Sequence, residues 1–186
     1  PKDGKFSFFS WSPDETKIAY TNTTEAGVEL WVVDLNTKKS KKLSEKYIND
    51  ILISPFQWFN SGSSLLVSYR CNSDMPSIKS VPSGPIIQQT NNQNAPSRTY
   101  QDLIKNKNDE ILFEYYSCVE LHKVSINGSD SKIVDRGMIK DYDISPGQDY
   151  LLVKKIKKPF SYLVPYYRFP YEVKTINIDN NIENII

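Results

Sequence analysis

A pattern that recurs three times along the chain restricts its fold more than any other feature, because a repeated unit must stack on copies of itself. When Ser12, Phe59 and Ser145 are aligned, each is preceded by two apolar residues flanking a polar one: Phe9-Ser10-Trp11, Phe56-Gln57-Trp58 and Tyr142-Asp143-Ile144. That alternation is the period of a strand with one buried face. A polar turn follows each anchor, and six residues past the anchor an apolar run begins: Ile18-Ala19-Tyr20, Leu65-Leu66-Val67 and Leu151-Leu152-Val153. A third segment aligns at 30–35, 121–126 and 173–178, each followed by a pair suited to tight reversal, Asn36-Thr37, Asn127-Gly128 or Asp179-Asn180. A fourth, more polar strand is expected over 38–43, 131–134 and 182–186.

Four short antiparallel strands per unit, repeated, are the mark of a β-propeller blade. The expected fold is therefore all-β: a partial β-propeller of about three four-stranded antiparallel blades. Blade one spans 5–44, blade two 52–135 with an insertion at 72–117, and blade three 139–186. The apolar strand should lie innermost and the Lys-rich strand outermost, where charge protects an edge from pairing with another chain. A layered sandwich or meander is the alternative arrangement of the same strands. A propeller ring closes with 4 to 8 blades as a rule. Three do not suffice, so the chain is expected to be part of a longer polypeptide, and its opening Pro1-Lys2-Asp3-Gly4 reads as a cut.

Composition removes whole classes of function. The 186 residues carry 23 basic and 22 acidic side chains, net +1, so no overall field draws in nucleic acid or an anionic membrane. Lys154, Lys155, Lys157 and Lys158 form a local basic cluster, read as solvated strand ends. No apolar run is long enough to span a membrane. A single His and two Cys are too few for a Cys/His zinc cluster, and neither metal nor cofactor is expected. The 8 Phe, 3 Trp and 12 Tyr supply enough bulky surface for a packed core.

The units differ in one place. From anchor to third strand takes 18 residues in the first, 62 in the second and 28 in the third. Both additions fall between the second and third strands, so they should emerge on one side of the scaffold, where function concentrates in loops. The longer one begins Pro-rich and then shows helical spacing. Thr99 with Asp102 resembles a capping box, Asp109 sits where a second N-cap would, and two short helices are predicted. Cys71 and Cys118 map to the two sides of the turn that this insertion replaces. A disulfide there would restrict the excursion by about 4 kcal/mol and imply an oxidising compartment, periplasmic or secreted; two buried free thiols are the alternative.

Ser12-Pro13-Asp14, followed by Lys17-Ile18-Ala19-Tyr20-Thr21 and Leu30-Trp31-Val32-Val33-Asp34-Leu35, resembles propeller blades of prolyl oligopeptidase family serine peptidases. Gly84-Pro85-Ile86-Ile87-Gln88, the run from Arg98-Thr99-Tyr100 to Lys105, Leu112-Phe113-Glu114-Tyr115-Tyr116, and the run from Lys158-Pro159-Phe160 to Arg168-Phe169-Pro170 resemble the glutamyl endopeptidase branch of that family. The resemblance implies an N-terminal propeller preceding a C-terminal α/β-hydrolase domain in the same polypeptide. The propeller would gate access to that domain and help bind acidic peptide substrates. No Gly-x-Ser-x-Gly elbow occurs in this chain, and the lone His122 falls within a strand, so no catalytic residue is expected here. A propeller scaffold that binds a protein or glycan partner is the competing expectation.

If a glutamate side chain is to be held, arginine is the suitable cation, because its planar fork meets both carboxylate oxygens. Arg98 and Arg168 lie in the two inserted segments and are the candidates, whereas Arg70 ends a strand and Arg136 lies near an outer edge. Tyr162, Tyr166, Tyr167 and Phe169, in the proline-rich stretch of the third unit, are the candidate aromatics for a peptide or a neighbouring domain.

Overall fold

The structure, a computed structural model, describes residues 4–78 and 103–186. The predicted strands appear in chain order as β1 (Lys5–Trp11), β2 (Lys17–Thr23), β3 (Val28–Asp34), β4 (Lys39–Lys42), β5 (Phe56–Trp58), β6 (Ser64–Arg70), β7 (Cys118–Ser125), β8 (Asp130–Ile144), β9 (Tyr150–Ile156), β10 (Tyr171–Asn177) and β11 (Glu183–Ile185). One helix, α1 (Lys107–Ser117), and one 3-10 turn, Tyr166–Arg168, complete the described elements.

The strands form two antiparallel sheets, one of four strands in the order β1-β2-β3-β4 and one of seven in the order β11-β10-β9-β8-β7-β6-β5. Three separate sheets were expected. The second and third units share one continuous strand instead, because β8 pairs first with β7 (Lys132 opposite His122, Met138 opposite Cys118) and then with β9 (Ile139 opposite Lys155, Ile144 opposite Leu151). Only a few residues separate Val134 from Ile139, too short a span to leave the ladder and return. The first and second units are joined by the longer stretch between Lys42 and Phe56, in which Ile48 is bridged to Val28 of one sheet and to Tyr69 of the other, the Tyr47 carbonyl accepts from the Arg70 amide and the Asn49 amide donates to the Ser68 carbonyl.

The turn after the first anchor shows how local chemistry starts the repeat. The Ser12 hydroxyl donates to Asp14 Oδ1 (2.5 Å) and accepts from the Lys17 amide (2.9 Å), while Thr16 Oγ1 donates to Asp14 Oδ2 (2.8 Å). These bonds, the one from Ser12 foremost, hold the Asp14 carboxyl down at about 2. In the corresponding tight turn between β2 and β3, Gly27 has φ 154°, and a Cβ there would come within 2.7 Å of the Tyr47 ring, so the position requires glycine.

Alternation along each strand directs one face toward the neighbouring unit. Ala19, Leu30 and Val32 of the first sheet pack with Phe56, Trp58, Leu65, Val67, Tyr69 and Val124 of the second unit. Leu66, Val119 and Leu121, on the opposite face of that unit, pack with Ile144, Leu151, Val153 and Ile176 of the third. Each fully buried Leu removes apolar surface worth roughly 1.5–3 kcal/mol. The Lys-rich β4 is exposed at its edge, as expected for an outer strand. His122 is 4% exposed and structural. Its Nδ1 lies 2.5 Å from Asp130 Oδ1, while Asp130 Oδ2 meets Lys46 at 2.7 Å, and the imidazole ring stands edge-on to Tyr69.

Candidate functional site

The two elaborated connections pack on each other. Helix α1 starts where the extended Asn106 turns its side-chain oxygen to accept from the Asp109 amide (3.0 Å), and Asp109 Oδ2 accepts from the Lys105 amide (2.9 Å). The cap is therefore Asn106, three residues before the expected Asp109, which instead reaches back from the first turn. Of the other predicted helix, Thr99 and Asp102 lie outside the described residues, and Leu103 to Lys105 are not helical. The helix ends at Ser117 because Cys118 is extended and enters β7. There the buried Asn49 of the inter-sheet stretch donates to the carbonyls of Tyr116 (2.6 Å) and Cys118 (3.3 Å), tying the helix end to the sheets.

Phe113 of α1 carries the contact with the proline-rich stretch 157–170. Its ring stands edge-on to Phe160 (5.3 Å) and Phe169 (5.7 Å), which stack on each other (5.4 Å), and tilts against Tyr166 (6.2 Å). Ile104, Met138 and Ile156 complete this small core. Two polar links seal its rim, an ion pair between Lys158 and Glu114, and a hydrogen bond from the Tyr162 hydroxyl to Glu110 Oε1 (2.8 Å). Lys107 and Tyr162, both donating to Glu110, hold its carboxyl below the usual range, while that same bond and partial burial push the Tyr162 phenol up. The Cys71 and Cys118 sulfurs are 2.08 Å apart, bonded, and span the insertion at its base.

The sequence candidates divide. Tyr162, Tyr166, Tyr167 and Arg168 are exposed on the outer surface of this small core, with Leu163 beside them. Phe169, expected among the contact residues, is 2% exposed and belongs to the core itself, because its ring is enclosed by Phe113 and Phe160. Arg98 lies outside the described residues. Arg70 is occupied by the Tyr47 ring, 5.7 Å away. Arg136, read from the sequence as lying near an outer edge, lines a cavity of about 300 Å³ with Ser73, Asp74, Glu114, Tyr115 and Met138. Among the described residues it forms no ion pair. The signal that could have found it is its place in the short link between the second and third units, on the side where the insertions emerge. The lysine cluster is internally satisfied: Lys154 meets Asp141 (2.8 Å), Lys157 meets Glu172 (3.1 Å), Lys158 meets Glu114, and Lys155 donates to the Arg136 carbonyl (3.0 Å). Among the described residues no group of three or more His, Cys, Asp or Glu could hold a metal, and no helix is long and apolar enough to cross a membrane.

No family model matches the chain. It is similar to the probable glutamyl endopeptidase, chloroplastic, of Oryza sativa subsp. japonica, 32% identical over 190 residues and 96% of this chain. The protein of the same description from Arabidopsis thaliana is 31% identical over 189 residues, again 96% of this chain. The chain spans 20% of the length of each of these curated relatives. Among solved structures, the β-propeller domain of the trilobed protease from Pyrococcus furiosus matches 97% of this chain and 42% of its own, at a TM-score of 0.52 and 14% identity. At that identity the match speaks to the fold alone.

Proposed function

For a chain that is a propeller portion related to the glutamyl endopeptidase branch of the prolyl oligopeptidase family, we propose a non-catalytic role: it restricts access to, and helps hold acidic peptides for, a hydrolase domain carried by the same polypeptide. The observation that carries this reading is the packing of the two elaborations into one patch. There the exposed Tyr162, Tyr166 and Tyr167 stand beside Arg168, and the Arg136 cavity opens between the insertion and β8. Amphipathic rings suit a peptide or a neighbouring domain, and a guanidinium fork suits a glutamate carboxylate. Arg98, within the same insertion, is the third cation assigned to this role. The disulfide at the base of the insertion supports passage through an oxidising compartment.

The test is a set of single Arg-to-Met substitutions at 98, 136 and 168 in the full-length polypeptide, assayed on matched peptides with glutamate or glutamine at the cleavage position. Loss of a charge-assisted hydrogen bond corresponds to about 10- to 100-fold. At least one variant should lose that much kcat/KM on the glutamate peptide and much less on the glutamine peptide. If all three retain the glutamate preference, the acidic-peptide assignment is wrong.

A further inference from the structure

The repeat builds the same cleft twice, at the strand ends opposite the two elaborations. Each cleft lies where the end of a third strand and the start of a fourth meet the next unit. Between the first and second units, Lys17, Val32, Asp34, Lys39 and Lys41 face Ile126 across a cleft of about 370 Å³. Between the second and third, Ser64, Lys123, Ser125, Ser129 and Ser131 face Ile178 across one of about 350 Å³. The ladders make these positions equivalent. Lys41 stands opposite Val32 and Lys39 opposite Asp34, just as Ser131 stands opposite Lys123 and the Ser129 carbonyl accepts from the Ser125 amide. The scaffold supplies the space, and the side chains that line it decide what it takes.

The first cleft is cationic at its rim and apolar at its floor. Register places Lys17, Asp34 and Lys39 in one row and Val32 with Lys41 in the next, all on the face that meets the second unit. Buried Val32 forms the floor with Ile126, and the Lys41 ammonium donates to the Ile126 carbonyl across the gap. Three ammonium groups meet one carboxylate, Asp34, whose Oδ1 already accepts from the Thr37 amide (2.8 Å) and hydroxyl (3.0 Å). Lys17 lies 3.6 Å from Asp14, whereas among the described residues Lys39 and Lys41 form no ion pair. Protecting the sheet edge does not require these two. Both units place a lysine on the opposite face of the outer strand, Lys42 or Lys132, and each is paired, Lys42 with Glu29 (3.2 Å) and Lys132 with Asp135 (2.6 Å). At the positions of Lys39 and Lys41 the second unit has serine.

We propose that the cleft between the first and second units binds a small organic anion, a carboxylate or phosphate head borne on an apolar group. Lys39 and Lys41 hold the head, with Lys17 beside them, and the apolar group lies on Val32 and Ile126. Ammonium groups that lack an acidic partner gain charge-assisted hydrogen bonds from such a head, and the floor adds burial that a bare inorganic ion cannot use. The second cleft has the same shape with hydroxyls at its rim and Lys123 in place of Val32, so it lacks both features. The inference is independent of the acidic-peptide assignment, since no residue of that site lines this cleft.

Lysine acylation read by mass spectrometry follows each ammonium group separately in the full-length polypeptide, with phenyl phosphate, phenylacetate, inorganic phosphate or benzyl alcohol present. An aryl anion at about ten times its dissociation constant should slow acylation of Lys39 and Lys41 about 10-fold and leave Lys132 unchanged. The aryl anion that protects at the lower concentration identifies the head group. Lys39→Gln combined with Lys41→Gln should weaken its binding about 10- to 100-fold by calorimetry. Absence of protection by both aryl anions overturns the proposal, and so does unchanged affinity in the double variant. Equal slowing at Lys132, or protection by inorganic phosphate as strong as by the aryl anions, means an adventitious ion only and overturns it as well. Protection by benzyl alcohol to the same extent removes the role of the charge and has the same consequence. Retained glutamate preference in all three Arg variants, with Lys39 and Lys41 still protected, would sink the functional reading and leave this one standing.

Discussion

Replacing Cys71 and Cys118 together by alanine separates what the disulfide does from what the ladder beneath it does. In the folded chain the bond joins positions that the sheet already holds together: Arg70 is paired with Val119, and the Cys71 amide donates to the Cys118 carbonyl at 3.3 Å. Cutting the bond should leave that geometry intact and act on the unfolded chain, which regains the freedom of a closed loop. For a sequence separation of 47 the chain-entropy relation gives about 4 kcal/mol. Spread over the unfolding entropy of 186 residues, this is a fall in melting temperature of roughly 10 °C. Calorimetry of the double variant, of the unreduced protein and of the protein under reductant should place the last two about that far apart, with the variant beside the reduced form. Indistinguishable melting temperatures, or alkylation of both thiols in the denatured but unreduced protein, would refute the reasoning.

Acid should weaken the clamp between the linker and the second unit. Burial pushes the Asp130 carboxyl up, but hydrogen bonds from Lys46 and His122 outweigh it and hold the group below its ordinary value. A carboxyl lower in the folded than in the unfolded chain stabilises fully above the unfolded value of about 3.9, and that stability is lost as pH falls through the folded value. Asp130→Asn should therefore flatten the acid limb of a melting-temperature profile, and an unaltered limb would show that the pairing contributes nothing. Phe113→Ala should free the 157–170 stretch from α1, at a cost of about 2–3 kcal/mol for a half-buried ring. Hydrogen exchange should then rise at the Phe169 amide, which donates to the Tyr166 carbonyl, while β6 and β7 stay protected; unchanged exchange at Phe169 would show that Phe113 does not hold the stretch.

How much of the site could be read in advance depends on how far apart its parts lie in sequence. Tyr162, Tyr166, Tyr167 and Arg168 sit in one proline-rich stretch whose rings cannot all be buried in a paired strand, and they do reach the surface. Phe169 belongs to the same stretch and does not. Its fate is decided by Phe113 and Phe160, and no local pattern distinguishes it from Tyr167. The helix cap shifted from Asp109 to Asn106 for a similar reason, since both are good N-caps and the choice falls to whichever residue is extended as the chain leaves the insertion. Arg136 reads from the sequence only as a residue near an outer edge, because its cavity is built by Ser73, Asp74, Glu114 and Tyr115, which the sequence keeps more than 20 residues away.

Periodicity alone determined the strands, their antiparallel order and the faces that become core, because a side-chain period of two and a turn pair of fixed chemistry act over a handful of residues. Only the tertiary structure decided that the second and third units share the strand β8, that the two elaborations close on one another around Phe113, and that the rings of β1 stand uncovered. Those outcomes turn on distances between segments remote along the chain. They are fixed by which surfaces can be buried together, a property of the assembled sheets that no single stretch of residues carries.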